Sequence, residues 1–204
     1  MGRKITKTYQ DPLELTWLHC AKSLGIEVQR DDEVFASWDG HSKLRLGLDS
    51  LDPDDSVAQL VFHEICHALI EGPESFGQPD WGLNNIDNPA PRSHEFATLR
   101  LQASLAEPFG LRQFLAATTD FREYYDRIPK NVFDHMDLAR SFENIRQVTR
   151  AEDDEAIKMA KSASANLDRS SWKENLDTAL AATQKLFEVV KAYAPKDSLW
   201  HDCH

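Results

Sequence analysis

The segment His63-Glu64-Ile65-Cys66-His67 carries the residue types and the spacing of a metal site. Two histidines four residues apart share one face of a helix, so both imidazoles reach a single ion. The glutamate after the first histidine can take the proton of a metal-bound water as that water attacks. The neighbours Val61, Phe62, Ile65, Ala68 and Leu69 are apolar, the pattern of a helix buried against other elements. A carboxylate in such a helix is costly to bury unless it is paired or close to an ion. His63 and His67 are therefore read as metal ligands and Glu64 as a general base, with Cys66 a small core residue.

Two histidines do not complete a site. The next candidates stand in Ser93-His94-Glu95-Phe96, at the start of a later predicted helix. From the residues alone both His94 and Glu95 remain open as the third ligand. Asp80 is a candidate carboxylate to orient a ligand histidine. Tyr124, Tyr125 and His135 are candidates to stabilise developing negative charge on a substrate oxygen.

The elements that must position these residues are legible as a pattern. Asp11-Pro12 reads as an N-cap with proline in the first turn, and Leu13, Trp17, Cys20, Ala21 and Leu24 then recur at helical spacing up to Gly25. Short runs at Ile26–Gln29, Glu33–Trp38 and Lys43–Leu48 are predicted strands, the last two joined by the turn Asp39-Gly40-His41-Ser42. Asp52 to Ser56 opens the helix of the histidines, and Gly72-Pro73 closes it. Residues 73–91 form a long loop of a kind that is often functional, with Asn84 to Asn88 as a turn-rich stretch beside the site. Helices are predicted over Ser93–Glu107, 110–117 and 120–126. From about Asn131 the chain reads as almost entirely helical, with a polar, weakly patterned Arg150–Ser171 and an amphipathic Trp172–Tyr193. The expected fold is α+β, with a small, mainly antiparallel sheet packed on the active-site helix and a mainly helical C-terminal half. Residues 1–130 form the metal-binding core, and 131–204 a helical extension packed on it within a single domain.

Composition narrows the partners. The chain of 204 residues has 23 Lys and Arg against 34 Asp and Glu, a net charge of −11, which disfavours nucleic-acid binding. No run of apolar residues is long enough for a membrane span, and the N-terminus has no apolar signal core. Three scattered cysteines, Cys20, Cys66 and Cys203, fit a reducing compartment better than a disulfide scaffold, so the expected location is cytoplasmic.

An HExxH helix followed by a glutamate on a later helix resembles the zincin superfamily in its glutamate-ligand branch, over roughly residues 43 to 107. That resemblance implies a small twisted sheet, an active-site helix, a bound zinc and peptidase chemistry. A closer local resemblance is to the elongation factor P hydroxylase family. It rests on His63-Glu64-Ile65-Cys66-His67 with Gly72, on Asp80-Trp81-Gly82, and on Glu95 with Gln102-Ala103 seven residues later. Cys66 stands where that family has serine, and the C-terminal half carries no match. The register of Glu95 with Gln102-Ala103 favours Glu95 over His94 as third ligand.

Three readings of function follow. The first is a zinc metallopeptidase or related hydrolase acting on a peptide or protein substrate. The second is a non-haem iron hydroxylase, because two histidines and one carboxylate also ligate Fe(II). The third is a metal-binding sensor or regulatory module without catalysis, which would have no use for Glu64 as a base.

Overall fold

The computed structural model describes residues 7–47, 51–83, 91–116, 118 and 120–201. The chain is α+β. Helix α1 (Pro12–Ser23) is followed by strands β1 (Glu27–Arg30), β2 (Ala36–Trp38) and β3 (Lys43–Leu46), then by α2 (Val57–Glu71), α3 (Arg92–Ala106), α4 (Arg122–Arg127), α5 (Arg150–Leu167) and α6 (Trp172–Val190). Helix α1 begins as its sequence demands: the Asp11 carboxylate accepts from the backbone N–H groups of Leu13 and Glu14 at 2.9 and 3.0 Å.

The sheet departs from expectation. Its order is β1-β3-β2, with β1 parallel to β3 and β2 antiparallel to it, so it is mixed rather than mainly antiparallel. Leu44 and Leu46 on β3 are fully buried, and placing that strand between the other two covers it on both edges. The hydrogen bonds of β3 alternate accordingly. Glu27 and Asp31 N–H donate to Ser42 and Leu46 on one side, and Asp39 and Gly47 N–H join Lys43 and Phe35 on the other. The predicted hairpin turn is present. The Asp39 carboxylate accepts from His41, Ser42 and Lys43 N–H at 2.7, 2.9 and 3.0 Å.

Helix α2 starts at Ser56, whose hydroxyl accepts from Gln59 N–H, and stops at Gly72 with φ +80°. It is buried through most of its length. Phe62 packs on Trp17 of α1 at 4.8 Å between ring centroids, and Val61 and Ile65 join one core with Leu44 and Leu46 of the sheet. Helix α3 lies against α2 on one side and α5 on the other, while α6 packs on α1. α5 fits closely because its buried positions include Ala156, Ala160 and Ala163.

Two helical expectations fail. In the predicted 110–117 helix, of which residue 117 lies outside the described residues, the chain makes only a turn closed by Leu115 N–H on Leu111. The helix expected from about Asn131 onward is present in α5 and α6, but residues 131–149, like 128–130 before them, are irregular. Apart from a local turn in which Asp134 N–H donates to the Asn131 carbonyl, several of their backbone groups bond to side chains from neighbouring helices. Glu123 accepts from Glu143 and Asn144 N–H, Asp153 from Met136 N–H, and Arg92 donates to the carbonyls of Arg146 and Gln147. No helix among the described residues is long and apolar enough to cross a membrane.

Candidate metal centre

His63, Glu64 and His67 lie on α2, and Glu95 lies in the first turn of α3. His63 and His67 are buried, and their Nε2 atoms sit 3.1 Å apart. Glu95 reaches both of them, with Oε1 3.5 Å from His63 Nε2 and Oε2 3.1 Å from His67 Nε2. These three side chains form the one group among the described residues in which at least three His, Cys, Asp or Glu ligand atoms lie within 4.8 Å of one another.

The far sides of both rings are held from α3. His63 Nδ1 meets Gln102 Oε1 at 2.9 Å, and His67 Nδ1 meets Thr98 Oγ1 at 3.1 Å. Thr98 and Gln102 are fully buried. The two helices match in opposite order: residues four apart on α3 face residues four apart on α2, Thr98 to His67 and Gln102 to His63.

The protons follow from these contacts. Gln102 Nε2 donates to the Leu115 carbonyl at 2.7 Å, so its oxygen must face His63 and accept from Nδ1–H. The Thr98 hydroxyl donates to the His94 carbonyl at 3.1 Å, so it accepts from His67 Nδ1–H. In the neutral rings both Nε2 atoms then carry lone pairs, aimed at each other and at a carboxylate. Glu95 Oε1 is buried without a hydrogen-bond partner. Converging lone pairs and an orphaned buried carboxylate oxygen are unfavourable unless a cation lies between them. The residues thus fit a divalent metal ion, held by His63, His67 and Glu95.

Without an ion, the electrostatics turn to protons. Burial opposes ionisation of Glu95, but the imidazole charge of His63 and the hydrogen bond and charge of His67 lower its pKa to about 2. Burial alone would lower the pKa of His67, yet its bond to Glu95, the charge of Glu95, and Glu64 and Glu71 beyond it raise that pKa above the ordinary value. A metal ion held by His63, His67 and Glu95 would take the place of those protons.

Glu64 is not part of the ligand cluster. Its Oε2 accepts from the indole N–H of Trp81 at 2.8 Å. Trp81 is 3% exposed and stacks on Trp38, with ring centroids 4.4 Å apart and planes 7° apart. It belongs to a 3₁₀ turn, Pro79–Gly82, in which Asp80 and Trp81 have φ of +47° and +56°. Two consecutive non-glycine residues in the left-handed region cost on the order of 1–3 kcal/mol each, and such strain persists where surrounding contacts hold it. Here the Asp80 carboxylate accepts from Trp38 N–H at 3.1 Å. The hairpin packs against the entry to the turn, since a side chain on Gly40 would meet Gln78 and Pro79 backbone at 3.0 Å.

A cavity of about 310 Å³ opens beside the cluster, lined by Glu64, His67, Glu95, Asp80, Trp81 and His94 among others. A smaller one of about 200 Å³ is also lined by Glu64, together with Phe35, Gln59, Leu60, His63 and Thr118. Ala36 of the edge strand β2 borders both.

Of the residues expected at the site, His63, Glu64, His67 and Glu95 come together. His94 does not join the cluster. Its Nδ1 pairs with the Glu71 carboxylate at 2.8 and 3.0 Å, and this hydrogen bond raises its pKa. Asp80 lines the cavity, but it holds Trp38 rather than a histidine. Tyr124 and Tyr125 are fully buried away from the cavity, bonded to Arg100 and to the Arg112 carbonyl, and burial raises the pKa of both hydroxyls. His135 is exposed beside Asp153 and Asp154. Asn84 to Asn88 lie outside the described residues. The roles of Thr98, Gln102 and Trp81 at the site were not anticipated. Polar residues at four-residue spacing on the otherwise apolar face of α3 were the available signal for the first two. No protein-family model matches the chain, and neither a curated protein nor a solved structure shows significant similarity to it.

Proposed function

We propose that this protein is a metal-dependent hydrolase, with zinc favoured as the ion and a peptide or protein as substrate. The observation that carries the reading is the separation of roles on α2. Two buried histidines and Glu95 offer a convergent ligand set, while Glu64, next in sequence to His63, is held outside that set and faces the same cavity. A site that only braced the fold would close its ligand set and have no use for a restrained carboxylate beside it.

When bound, such an ion lowers the pKa of a coordinated water and polarises a substrate carbonyl. The chain's own residues do the rest. Gln102 and Thr98 set the tautomers of His63 and His67 and fix their rings. Glu64 Oε1, the oxygen not bonded to Trp81, accepts a proton at the cavity wall and returns it to a leaving amine. The two cavities that Glu64 lines receive the groups flanking the bond to be cut.

A second reading, a non-haem iron hydroxylase, is favoured by one observation. The residues on which the resemblance to the elongation factor P hydroxylase family rests meet around one site: Trp81 bonds Glu64, and Gln102 bonds His63. Both readings are tested by elemental analysis of untagged protein purified without added metal, followed by activity assays. Zinc with cleavage of a peptide library supports the hydrolase. Iron with turnover that needs O₂ and a reductant overturns it in favour of the hydroxylase. Absence of any bound metal overturns both.

A further inference from the structure

We propose that Trp81 is a positioning residue whose indole N–H keeps Glu64 off the metal, so that one coordination position stays open to an incoming ligand. The inference rests on the metal-centre reading above. Glu64 follows a ligand directly on α2 and shares a cavity with His67 and Glu95. A carboxylate there is itself a good ligand for zinc or iron. Its one hydrogen bond among the described residues is the 2.8 Å contact from Trp81. A charge-assisted bond of that length, from a buried indole to a half-buried carboxylate, is a strong restraint.

Everything around Trp81 serves to aim that N–H. The ring is clamped flat on Trp38 and edge-on to Phe76, 5.4 Å away. The two left-handed residues Asp80 and Trp81 turn the chain so that the indole points at α2 while Asp80 ties the turn to the β2 backbone. Packing alone would be met by any large aromatic ring without a donor. The donor meets the carboxylate that most needs restraint.

The test uses the full chain loaded with Co(II) and titrated with azide, followed by the visible spectrum of the ion. In the wild type azide enters the open position and shifts the spectrum. Trp81→Phe keeps the ring stacking and removes the donor. It is expected to bind Co(II) with equal stoichiometry, to show the spectrum of a more highly coordinated ion, and to bind azide at least about tenfold more weakly. Adding Glu64→Ala to Trp81→Phe is expected to restore azide binding to that of Glu64→Ala alone. Unchanged azide affinity in Trp81→Phe, with Co(II) still bound, overturns the role of Trp81 and leaves the metal centre standing. Failure of the wild type to bind Co(II) overturns the metal centre itself, and this proposal with it. Should Trp81→Phe not fold, the wild type answers through its indole N–H resonances. The Trp81 signal is expected to move in Glu64→Ala and to stay in place on loading with Zn(II). If Zn(II) moves it as far as Glu64→Ala does, Glu64 has left Trp81 for the ion and the proposal is overturned.

Discussion

Gln102 presents its amide oxygen to His63 Nδ1 at 2.9 Å because its amide nitrogen is already committed to the Leu115 carbonyl at 2.7 Å. One buried side chain thereby decides which nitrogen of His63 carries the proton, and leaves Nε2 for a metal. Gln102→Leu preserves much of the volume and removes this control. It is expected to weaken Zn(II) binding by roughly 10- to 100-fold, measured by competition with a chelator, while the far-ultraviolet circular dichroism is unchanged. An unchanged affinity would show that Gln102 serves packing alone.

The ligand and base assignments separate cleanly. Glu95→Ala is expected to lower metal stoichiometry towards zero by plasma mass spectrometry, whereas His94→Ala retains it, since His94 is bound to Glu71 and stands outside the cluster. Glu64→Gln is expected to keep the metal and, once a substrate is known, to lose about 10²- to 10⁴-fold in turnover. Loss of metal in His94→Ala with retention in Glu95→Ala would reverse the choice of third ligand.

The His94–Glu71 pair gives a pH dependence of definite sign. The hydrogen bond that His94 Nδ1–H donates to the Glu71 carboxylate raises the folded-state pKa of His94 above its ordinary value. The stability it contributes is therefore fully present below the ordinary histidine pKa of about 6.5 and is lost as pH rises through the raised value. An NMR titration of the His94 ring is expected to show a midpoint above that of a model histidine, and Glu71→Gln is expected to lower it. A midpoint at or below the model value would contradict the pairing.

The scaffold that holds Glu95 depends on a second buried pair. Arg100 of α3 and Asp153 of α5 are fully buried, 2.6 Å apart, and Arg100 also donates to Tyr124 and to the carbonyls of Val132 and Asp134. Arg100→Met leaves Asp153 short of its main partner, and is expected to destabilise the protein by about 3–5 kcal/mol in urea unfolding. Arg100→Met with Asp153→Leu is expected to recover part of that loss, because the uncompensated charge is gone. A loss below about 1 kcal/mol in the single variant would mean that water or Arg150 replaces Arg100.

What the sequence determined by itself is local. The four-residue spacing of His63 and His67, the Ser56 start and Gly72 stop of α2, the Asp11-Pro12 cap and the Asp39 turn all act within a few residues, where backbone geometry leaves little choice. The residues alone left His94 and Glu95 both open, and only the resemblance of Glu95 with Gln102-Ala103 to a known motif favoured Glu95. Only the tertiary structure decided what depends on distant partners. β3 took the centre of the sheet, where its backbone pairs on both edges while Leu44 and Leu46 pack into the core with Trp17, Val61 and Ile65. Residues 128–149 stayed irregular because Glu123, Arg92 and Asp153 satisfy their backbone in place of a helix. His94 was drawn to Glu71 and Asp80 to the Trp38 backbone, while Trp81, 17 residues beyond Glu64, became its partner. Each of these outcomes turns on which buried polar group finds a mate across the core, and sequence separation carries no record of that.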